Sequence, residues 1–281
     1  MKPSLYPGRY FILLFIWLTY GSFYLCRLNM SAVIPLVMED LRLSHLWVGF
    51  IMSGFFIVYA LSQFPAGYLS DRFGSRKVIT IAGLLSALSN LFFGLSTRLY
   101  HFISFQILNG ISQAGAYAPI VKLIGNWFPQ SRRATALGIF LSCVPIFTIV
   151  SYWLSSYLGA SFGWRFAFFI PFVILSFVAL IDFRVIQDAP QGKQWAQAGE
   201  KENPSFPASP PSATSIKTAI LSNKSLWLLG ACLGGIAFIE YSYLMWLPTF
   251  LFETFETTIV KAGVFSSIYP LLGIPARFMT G

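Results

Sequence analysis

One arginine lies deep inside an apolar stretch of the sequence. Arg27 stands within the first long apolar run, far from both ends of that run. A charge at the centre of a lipid bilayer costs at least ~2.5 kcal/mol, so an arginine at that depth is usually paired or functional. The polar residues of this run recur every three or four positions and therefore share one helical face: Tyr20, Tyr24, Arg27 and Ser31. This pattern predicts that Arg27 binds an anionic group, with a carboxylate favoured, through a bidentate charge-assisted hydrogen bond.

A buried acid elsewhere in the chain offers an alternative partner for that arginine. Glu240 lies in a later apolar run, beside Tyr241 and one turn before Tyr243. A lone charge buried among apolar residues is costly, so such an acid exchanges a proton or pairs with a cation. We predict that Glu240 is the coupling site for a proton or cation, or that it pairs with a substrate ammonium. A structural ion pair between Glu240 and Arg27 is the equal alternative, and a backbone carbonyl is a further partner for Arg27.

A third apolar run carries a stripe of amides at helical spacing. A stripe of this kind lines a cavity or forms hydrogen bonds between helices, and the second interpretation is slightly favoured for the stripe as a whole. The stripe consists of Gln106, Asn109, Gln113 and Tyr117.

Asp182 and Arg184 stand two residues apart near the end of another run, and we expect them to pair at the membrane interface. The candidate substrate-binding residues are Arg27, Tyr24, Tyr20, Gln113, Tyr117 and Tyr243.

The composition indicates which elements position these residues. Hydrophobic residues make up 56% of the 281 residues and charged residues only 10%, whereas a soluble domain has about 25% charged residues. A helix needs roughly 20 apolar residues to cross a bilayer. Runs of about that length occur near 10–35, 47–69, 78–95, 100–128, 134–158, 164–183, 225–252 and 260–280. The sequence therefore predicts an all-α membrane protein, and a soluble globular core is the weak alternative.

The charges and cysteines exclude several other classes. Most Lys and Arg residues fall on the N-terminal side of the predicted bilayer, and this uneven distribution predicts a cytoplasmic N-terminus. Because it also accounts for the net charge of +9, we expect no nucleic-acid partner. The three cysteines lie in apolar runs and the two histidines are isolated, which predicts no disulfide framework, no metal site and no cofactor. No catalytic motif is present in the sequence, and we expect no enzymatic activity.

A polar stretch divides the chain. Residues 187–222 are rich in Pro, Ser and Ala, a composition that is typical of a flexible linker. The predicted domains are an N-terminal bundle of six helices over 1–186, a cytoplasmic linker over 187–222, and a partial second bundle over 223–281 that contains helices seven and eight.

A compact loop of mixed charge, GYLSDRFGSRKV at 67–78, interrupts the apolar runs. Gly67 allows span two to approach a neighbour closely, and Gly74 permits a sharp turn. Asp71 can accept hydrogen bonds from N–H groups at a helix terminus, where the helix dipole favours an anion. Physical reasoning alone leaves a basic loop without a special role as an equal alternative.

A resemblance resolves this choice. The segment GYLSDRFGSRK resembles the G-x-L-[AS]-D-R-x-G-[RS]-[RK]-[RK] loop between helices two and three of the major facilitator superfamily. The resemblance implies that the loop is a cytoplasmic latch, which holds helix ends of both halves together in the outward-open state. The matching residues are Gly67, Asp71, Arg72, Gly74, Arg76 and Lys77.

Three further segments narrow the resemblance to the organophosphate and anion:cation symporter branches. They are YLCRLNMSAVIP, GNWFPQSRRATALG and WLPTFL. Two positions depart from those branches. Gln106 replaces a frequent arginine of helix four, which argues against proton coupling through that residue. Glu240 replaces a second arginine in helix seven, which argues against a two-arginine phosphate clamp.

The resemblance implies a fold and a function. The superfamily consists of two six-helix halves, so we expect a six-helix N-terminal bundle and the first two helices of an incomplete C-terminal bundle. Helices nine to twelve are expected from a full-length chain or from an unknown source. The implied function is secondary active transport of a small organic anion, coupled to an ion gradient, by a multi-pass protein of the cell (inner) membrane. The alternative is a truncated, non-transporting membrane protein with a regulatory or partner-binding role.

Overall fold

The protein is helical throughout the part that the structure describes. The computed structural model describes residues 8–189 and 222–279, without the side chains of 274–279. No strand occurs in these ranges. The helices are α1 (Gly8–Leu41), α2 (His45–Phe73), α3 (Ser75–Gly94), α4 (Leu99–Trp127), α5 (Gln130–Leu141), α6 (Cys143–Phe162), α7 (Phe166–Val185), α8 (Lys224–Thr254), α9 (Ile259–Ser266) and α10 (Ile268–Met279).

Six helices of the described part are long and apolar enough to cross a membrane, which confirms the all-α membrane fold class. They are α1, α2, α3, α5 with α6, α7 and α8. Eight spans were expected from the sequence. The fourth, α4, is 29 residues long but less apolar because it carries the amide stripe. The eighth corresponds to α9 and α10, whose apolar segment is shorter.

Two of the expected spans are interrupted, and a proline explains each interruption. Pro145 and Pro270 have no N–H to donate to the carbonyl four residues earlier, so the helix cannot continue regularly through that turn. The first break falls at Ser142, between α5 and α6, and the second at Ser267, between α9 and α10. The predicted single span over 134–158 is therefore two consecutive helices.

Small residues bring the first seven helices close together. A Cβ built on Gly110 of α4 would lie 2.7 Å from the backbone oxygen of Phe55 in α2. A Cβ on Gly83 of α3 would lie 2.8 Å from the Cβ of Ala179 in α7. Interfaces of this kind let helix backbones approach closely inside a membrane. These helices enclose α1, whose residues from Thr19 to Pro35 are all buried.

The outer surface of the bundle is apolar, as a lipid-facing surface requires. Phe64 of α2 and Phe177 of α7 are exposed by 85% and 65%. The first half of α8 is likewise exposed, and this helix packs on α1 only near its C-terminal end. Most of the predicted linker, 190–221, lies outside the described residues, so the predicted domain boundaries stay a prediction.

Candidate functional site

Arg27 lies in the middle of α1 and is almost completely buried, with 2% of its surface exposed. Its Nε donates a hydrogen bond to Oε1 of Gln113 in α4 at 2.8 Å. Its Nη2 is buried and has no hydrogen-bond partner among the described residues. The ion pairs found in the described part of the chain do not include Arg27. The predicted ion pair with Glu240 is therefore not formed in this structure, and the positive charge has no acidic partner in the described part of the chain.

Aromatic rings replace the missing counter-ion. The Cζ of Arg27 lies 4.6 Å from the ring centroid of Tyr24, 4.8 Å from that of Tyr59 and 5.6 Å from that of Phe55. The face of an aromatic ring carries partial negative charge, and such a contact contributes ~2 kcal/mol or more when water is excluded. These rings stabilise the guanidinium without neutralising it, so it remains able to attract an anion.

A buried network of amides fixes the position of Gln113. Its Nε2 lies within hydrogen-bond distance of the Phe23 carbonyl, Oγ of Ser86 and Oδ1 of Asn109. The hydroxyl of Ser86 donates to the same Asn109 oxygen at 2.6 Å. Gln113 is fully buried, so its Oε1 is held at a defined point in front of Arg27. Within the amide stripe on α4, Asn109 and Gln113 thus form the hydrogen bonds between helices that were favoured from the sequence.

The predicted tyrosines are divided between two places. Tyr20 packs against Tyr24 at 5.5 Å between ring centroids and against Tyr117 at 6.0 Å. These three rings therefore form one cluster, which contacts the Arg27 guanidinium through Tyr24. Tyr243 is not part of this group, because it is 52% exposed and stacks on Tyr269 of α10.

Glu240 lines a hollow that does not include Arg27. It is half-buried on α8 and lines a hollow of about 350 Å³ together with Thr148 of α6 and Tyr269 of α10. The sequence pattern placed Arg27 and Glu240 as possible partners, but the helical faces on which they lie separate them in this arrangement.

A larger hollow opens between α2 and α8. Its volume is about 890 Å³, and its walls are mostly apolar. Tyr59 lines this hollow, and the same ring lies over the Arg27 guanidinium. Tyr59 therefore stands between the hollow and the buried arginine.

One backbone carbonyl of α8 forms hydrogen bonds with side chains of α1 and α6. Pro248 cannot donate to the Leu244 carbonyl, which lies four residues earlier in the helix. The hydroxyl of Tyr152 in α6 reaches that oxygen at 2.6 Å, and the hydroxyl of Ser31 in α1 lies 2.8 Å both from it and from the Met245 carbonyl. The proline of the WLPTFL segment thus creates an acceptor that both helices use.

This junction lies in the half of the bundle opposite to the N-terminus, about one helical turn beyond Arg27 on α1. At the far end of that half, Nε2 of His45 lies 3.0 Å from Oε1 of Glu253, which links the start of α2 to the end of α8. The Phe56 and Tyr241 rings are 4.5 Å apart somewhat deeper in the bundle. The first turns of α8, at the other end, are exposed. The contacts between α8 and the N-terminal helices are therefore concentrated at one end.

The loop at 67–78 sits at the N-terminal end of the bundle. Gly74 alone separates α2 from α3 and has φ +87°, a conformation that favours glycine. A Cβ there would lie 2.6 Å from Oδ2 of Asp188. The sharp turn expected at Gly74 is present. At Gly67, by contrast, a Cβ would meet open space, so the close approach expected there is not made within the described residues.

The charges of this loop pair differently from the expectation. Asp71 accepts a hydrogen bond from Nζ of Lys122 at 2.6 Å, and the terminal N–H that was expected to bind it donates elsewhere. It is Asp188, just after α7, that accepts the Arg76 N–H at the start of α3, at 2.9 Å. The remaining basic residues make ring contacts or face outward: Arg72 over Phe73, Arg76 over Phe183, and Lys77 exposed.

Asp182 also departs from the sequence interpretation. It was expected to pair with Arg184 at the membrane interface, but it is completely buried. Its Oδ2 lies 2.7 Å from Oγ1 of Thr19 in α1. Since residues two apart point to different sides of a helix, Asp182 faces the bundle and Arg184 is exposed.

Residues 16–281 match the family model described as Major Facilitator Superfamily. The chain belongs to the Major Facilitator Superfamily. Among its relatives, a "Probable hexose phosphate transport protein" of Chlamydia trachomatis is 27% identical over 95% of the chain and 62% of the relative. The "Hexuronate transporter" of Bacillus subtilis is 27% identical over 93% of the chain and 61% of the relative. The "Membrane sensor protein UhpC" of Escherichia coli is 24% identical over 97% and 64%.

Solved structures agree on the superfamily fold. A bacterial homologue of the human lysosomal transporter Spinster, in an inward-facing and occupied conformation, superposes with a TM-score of 0.79 at 20% identity, over 94% of this chain and 58% of that one. A D-xylose-proton symporter gives a TM-score of 0.67 at 17% identity, over 95% and 66%. The chain thus spans about three-fifths of the length of the curated relatives named above. The superfamily that the sequence motifs indicated is confirmed, and the relatives named above are described as transporters of hexose phosphate and of hexuronate and as a membrane sensor.

Two aromatic residues that contact Arg27 were not predicted from the sequence. Tyr59 and Phe55 lie four residues apart on α2, which is the spacing of one helical face. Their run contains no charge, so nothing distinguished these rings from ordinary lipid-facing aromatics. Only the packing of α2 against α1 and α4 brings them over the guanidinium.

Proposed function

We propose that the chain forms the anion-binding part of a secondary active transporter for a small organic anion. One observation carries the proposal: a guanidinium that is 2% exposed, surrounded by aromatic rings, and without an acidic partner among the described residues. Desolvating such a charge is expensive unless something offsets it during the working cycle. A carboxylate that binds Nη2 and a neighbouring N–H would do so with the planar geometry that arginine provides.

A single carboxylate is the favoured substrate group. Arg27 supplies one guanidinium, and the position at which the organophosphate branch has a second arginine holds Glu240 here. A dianionic phosphate needs more positive charge than a carboxylate. Relatives are named as transporters of hexose phosphate and of hexuronate, so both classes belong in the assay. We propose Tyr20, Tyr24, Gln113 and Tyr117 as further contacts, and Tyr243 as a contact that the substrate meets only after α8 moves.

The proposed mechanism is alternating access. The junction at Leu244 and the His45–Glu253 pair close the end of the bundle opposite to the N-terminus. The first turns of α8 are exposed, which suits an arrangement that is open at the N-terminal end. We assign that end to the cytoplasm of a cell (inner) membrane, on the basis of the basic residues there. The loop around Asp71 is then the latch that closes this end in the opposite state, and residues 187–222 form the linker between the two halves.

Coupling to an ion gradient is assigned to Glu240. This acid is half-buried in a hollow that Thr148 and Tyr269 also line, where a proton or cation can reach it. Glu240→Gln keeps the shape and removes the titration, so uptake by this variant should no longer depend on pH. Uptake that keeps the wild-type pH dependence would refute the assignment.

Uptake into proteoliposomes tests the function. Wild-type protein should accumulate a radiolabelled hexuronate or hexose phosphate, and Arg27→Gln should abolish accumulation. Arg98→Gln is the matched control, because Arg98 is an exposed arginine at the start of α4 and its loss should leave uptake unchanged. Equal uptake by wild type and Arg27→Gln would overturn the proposal.

A regulatory role is the second candidate, since one relative is named a membrane sensor. That role predicts anion binding that requires Arg27, without accumulation in proteoliposomes. We propose no enzymatic activity, because the relatives are named for transport and sensing.

A further inference from the structure

A buried carboxyl group lies outside the proposed substrate site. Asp182 is 0% exposed, within the inner half of α7, and the ion pairs of the described residues do not include it. Its Oδ1 is buried without a hydrogen-bond partner among those residues. An ionised carboxylate in such surroundings would be strongly disfavoured, since neither a cation nor a set of N–H donors compensates it.

The hydrogen-bond geometry around Thr19 indicates the form of this carboxyl group. Oγ1 of Thr19 lies 2.7 Å from the carbonyl oxygen of Phe15 and also 2.7 Å from Oδ2 of Asp182. A hydroxyl has one hydrogen and can donate to only one of these oxygens. If Asp182 were ionised, one of the two short contacts would join two acceptors. If Asp182 carries a proton, it donates to Thr19 while Thr19 donates to Phe15, and both contacts are satisfied.

A second hydroxyl faces the same place. Gly94 of α3 lies against Phe168 of α7, and Gly83 lies against Ala179, so the two antiparallel helices keep one register. One turn further along, that register places Thr80 opposite Asp182. Oγ1 of Thr80 is buried and has no partner among the described residues, as is true of Oδ1 of Asp182. Thr19 of α1 thus contacts Asp182 directly, and the helix register places Thr80 of α3 at the same level of the bundle.

The charged groups on the surrounding helices are engaged elsewhere or exposed. On α3, the Arg76 guanidinium lies over the Phe183 ring, and Lys77 is exposed. On α1, Nη2 of Arg9 donates to the Tyr10 hydroxyl, while its Nε is buried without a partner among the described residues. Arg27, two turns beyond Thr19 on the same helix, donates its Nε hydrogen to Gln113. On α7 itself, Arg184 is exposed, and α6 has neither acid nor base. No counter-charge from α1, α3, α6 or α7 therefore replaces the proton on Asp182.

We propose that Asp182, with Thr19 and Thr80, forms a proton-binding site inside the N-terminal bundle, separate from Arg27 and Glu240. Oδ2–H donates to Thr19 in the protonated state. Release breaks that O–H bond, leaves a carboxylate and passes the proton to water, which requires water to enter between α1, α3 and α7. Thr19 and Arg27 are eight residues apart on α1, about 12 Å along the helix, so protonation acts on the helix that carries the anion site. This role in transport rests on the function proposed above, whereas proton binding itself does not.

Infrared difference spectroscopy of the purified chain tests the site directly. The wild type should show the stretching band of a protonated, buried carboxyl group at neutral pH, and Asp182→Asn should lack it. Asp40→Asn is the control, because Asp40 is exposed at the end of α1 and paired with Arg165. The band should shift in Thr19→Val and not in Thr19→Ser, which identifies it without altering Asp182 should Asp182→Asn fail to fold. A spectrum without this band, or a band indifferent to these changes, overturns the proposal.

Two further measurements separate the related possibilities. Thermal stabilisation by sodium that Asp182→Asn loses, without the infrared band, would make the site a cation site and overturn the proton assignment. In proteoliposomes, an imposed proton gradient should accelerate anion uptake by the wild type, and by Asp182→Asn to a smaller extent, because Asp182 acts on the step that Glu240 couples. Equal acceleration of wild type and Asp182→Asn overturns the transport role. Absence of any uptake by the wild type refutes the transport function, while the infrared result still decides the site.

Discussion

The Leu244 carbonyl offers a quantitative test of how the two parts of the chain are held together. Pro248 removes its helical donor. The Tyr152 hydroxyl lies 2.6 Å from this oxygen, and the Ser31 hydroxyl, which is equally close to the Met245 carbonyl, lies 2.8 Å from it. Ser31→Ala or Tyr152→Phe leaves one donor, so each should cost about 1 kcal/mol. The double change leaves a buried carbonyl with no donor from α1 or α6 and should add a desolvation cost of about 1–3 kcal/mol. The double effect should therefore exceed the sum of the single effects.

These energies act on an equilibrium that can be measured. In the separated state water solvates the carbonyl, so the loss shifts the population away from the closed junction. A cost of 1 kcal/mol changes the population ratio by about a factor of five, and 2 kcal/mol by about thirty. Spin labels at Leu46 and Phe255, two exposed positions near the His45–Glu253 pair, report that population as an interlabel distance distribution.

The same experiment contains its own control. Pro248→Ala restores an N–H that can donate to Leu244 inside the helix. In that background the double change of Ser31 and Tyr152 should have a much smaller effect. Single and double changes that shift the distances equally, or a double effect that Pro248→Ala leaves unaltered, would refute this account of the junction.

Two further predictions concern the loop at 67–78 and the arginine. Gly74→Ala should lower the free energy of unfolding of the detergent-solubilised protein by about 1–3 kcal/mol, because alanine is strained at φ +87° and would crowd Asp188. Gly125→Ala, where a Cβ meets open space, should not lower it, and equal effects would show that the turn is not restrictive. Gln113→Leu should weaken anion binding about tenfold or more, because it removes a charge-assisted bond that orients Arg27. Gln113→Glu should abolish binding in calorimetry by pairing with the guanidinium, and unchanged affinity in both variants would contradict this role.

The sequence was sufficient for the helices and for the depth of Arg27. Apolar runs and charge spacing depend on local chemistry, so they located the six helices that are long and apolar enough to cross a membrane, and the arginine within the first. The breaks at Ser142 and Ser267 were readable in principle from Pro145 and Pro270, since each proline removes a backbone donor.

The partners of the polar groups required the packed structure. Tyr59 on α2 contacts Arg27 on α1, and Asp188, just after α7, accepts the backbone N–H of Arg76 on α3. No local sequence pattern specifies which helices become neighbours. Asp182 was misread for a related reason. Its sequence neighbour Arg184 suggested an interfacial pair, but the rotation of α7 turns the acid toward Thr19.

Anion binding to the purified protein tests the central claim most directly. Titration calorimetry should compare hexuronate, hexose phosphate and the neutral parent sugar on wild type, Arg27→Gln and Arg98→Gln. The account predicts that wild type and Arg98→Gln bind the hexuronate and not the neutral sugar, and that Arg27→Gln binds neither. Hexuronate affinity that survives in Arg27→Gln, or wild-type binding of the neutral sugar as tight as that of the hexuronate, would contradict the claim that the buried guanidinium recognises an anionic substrate.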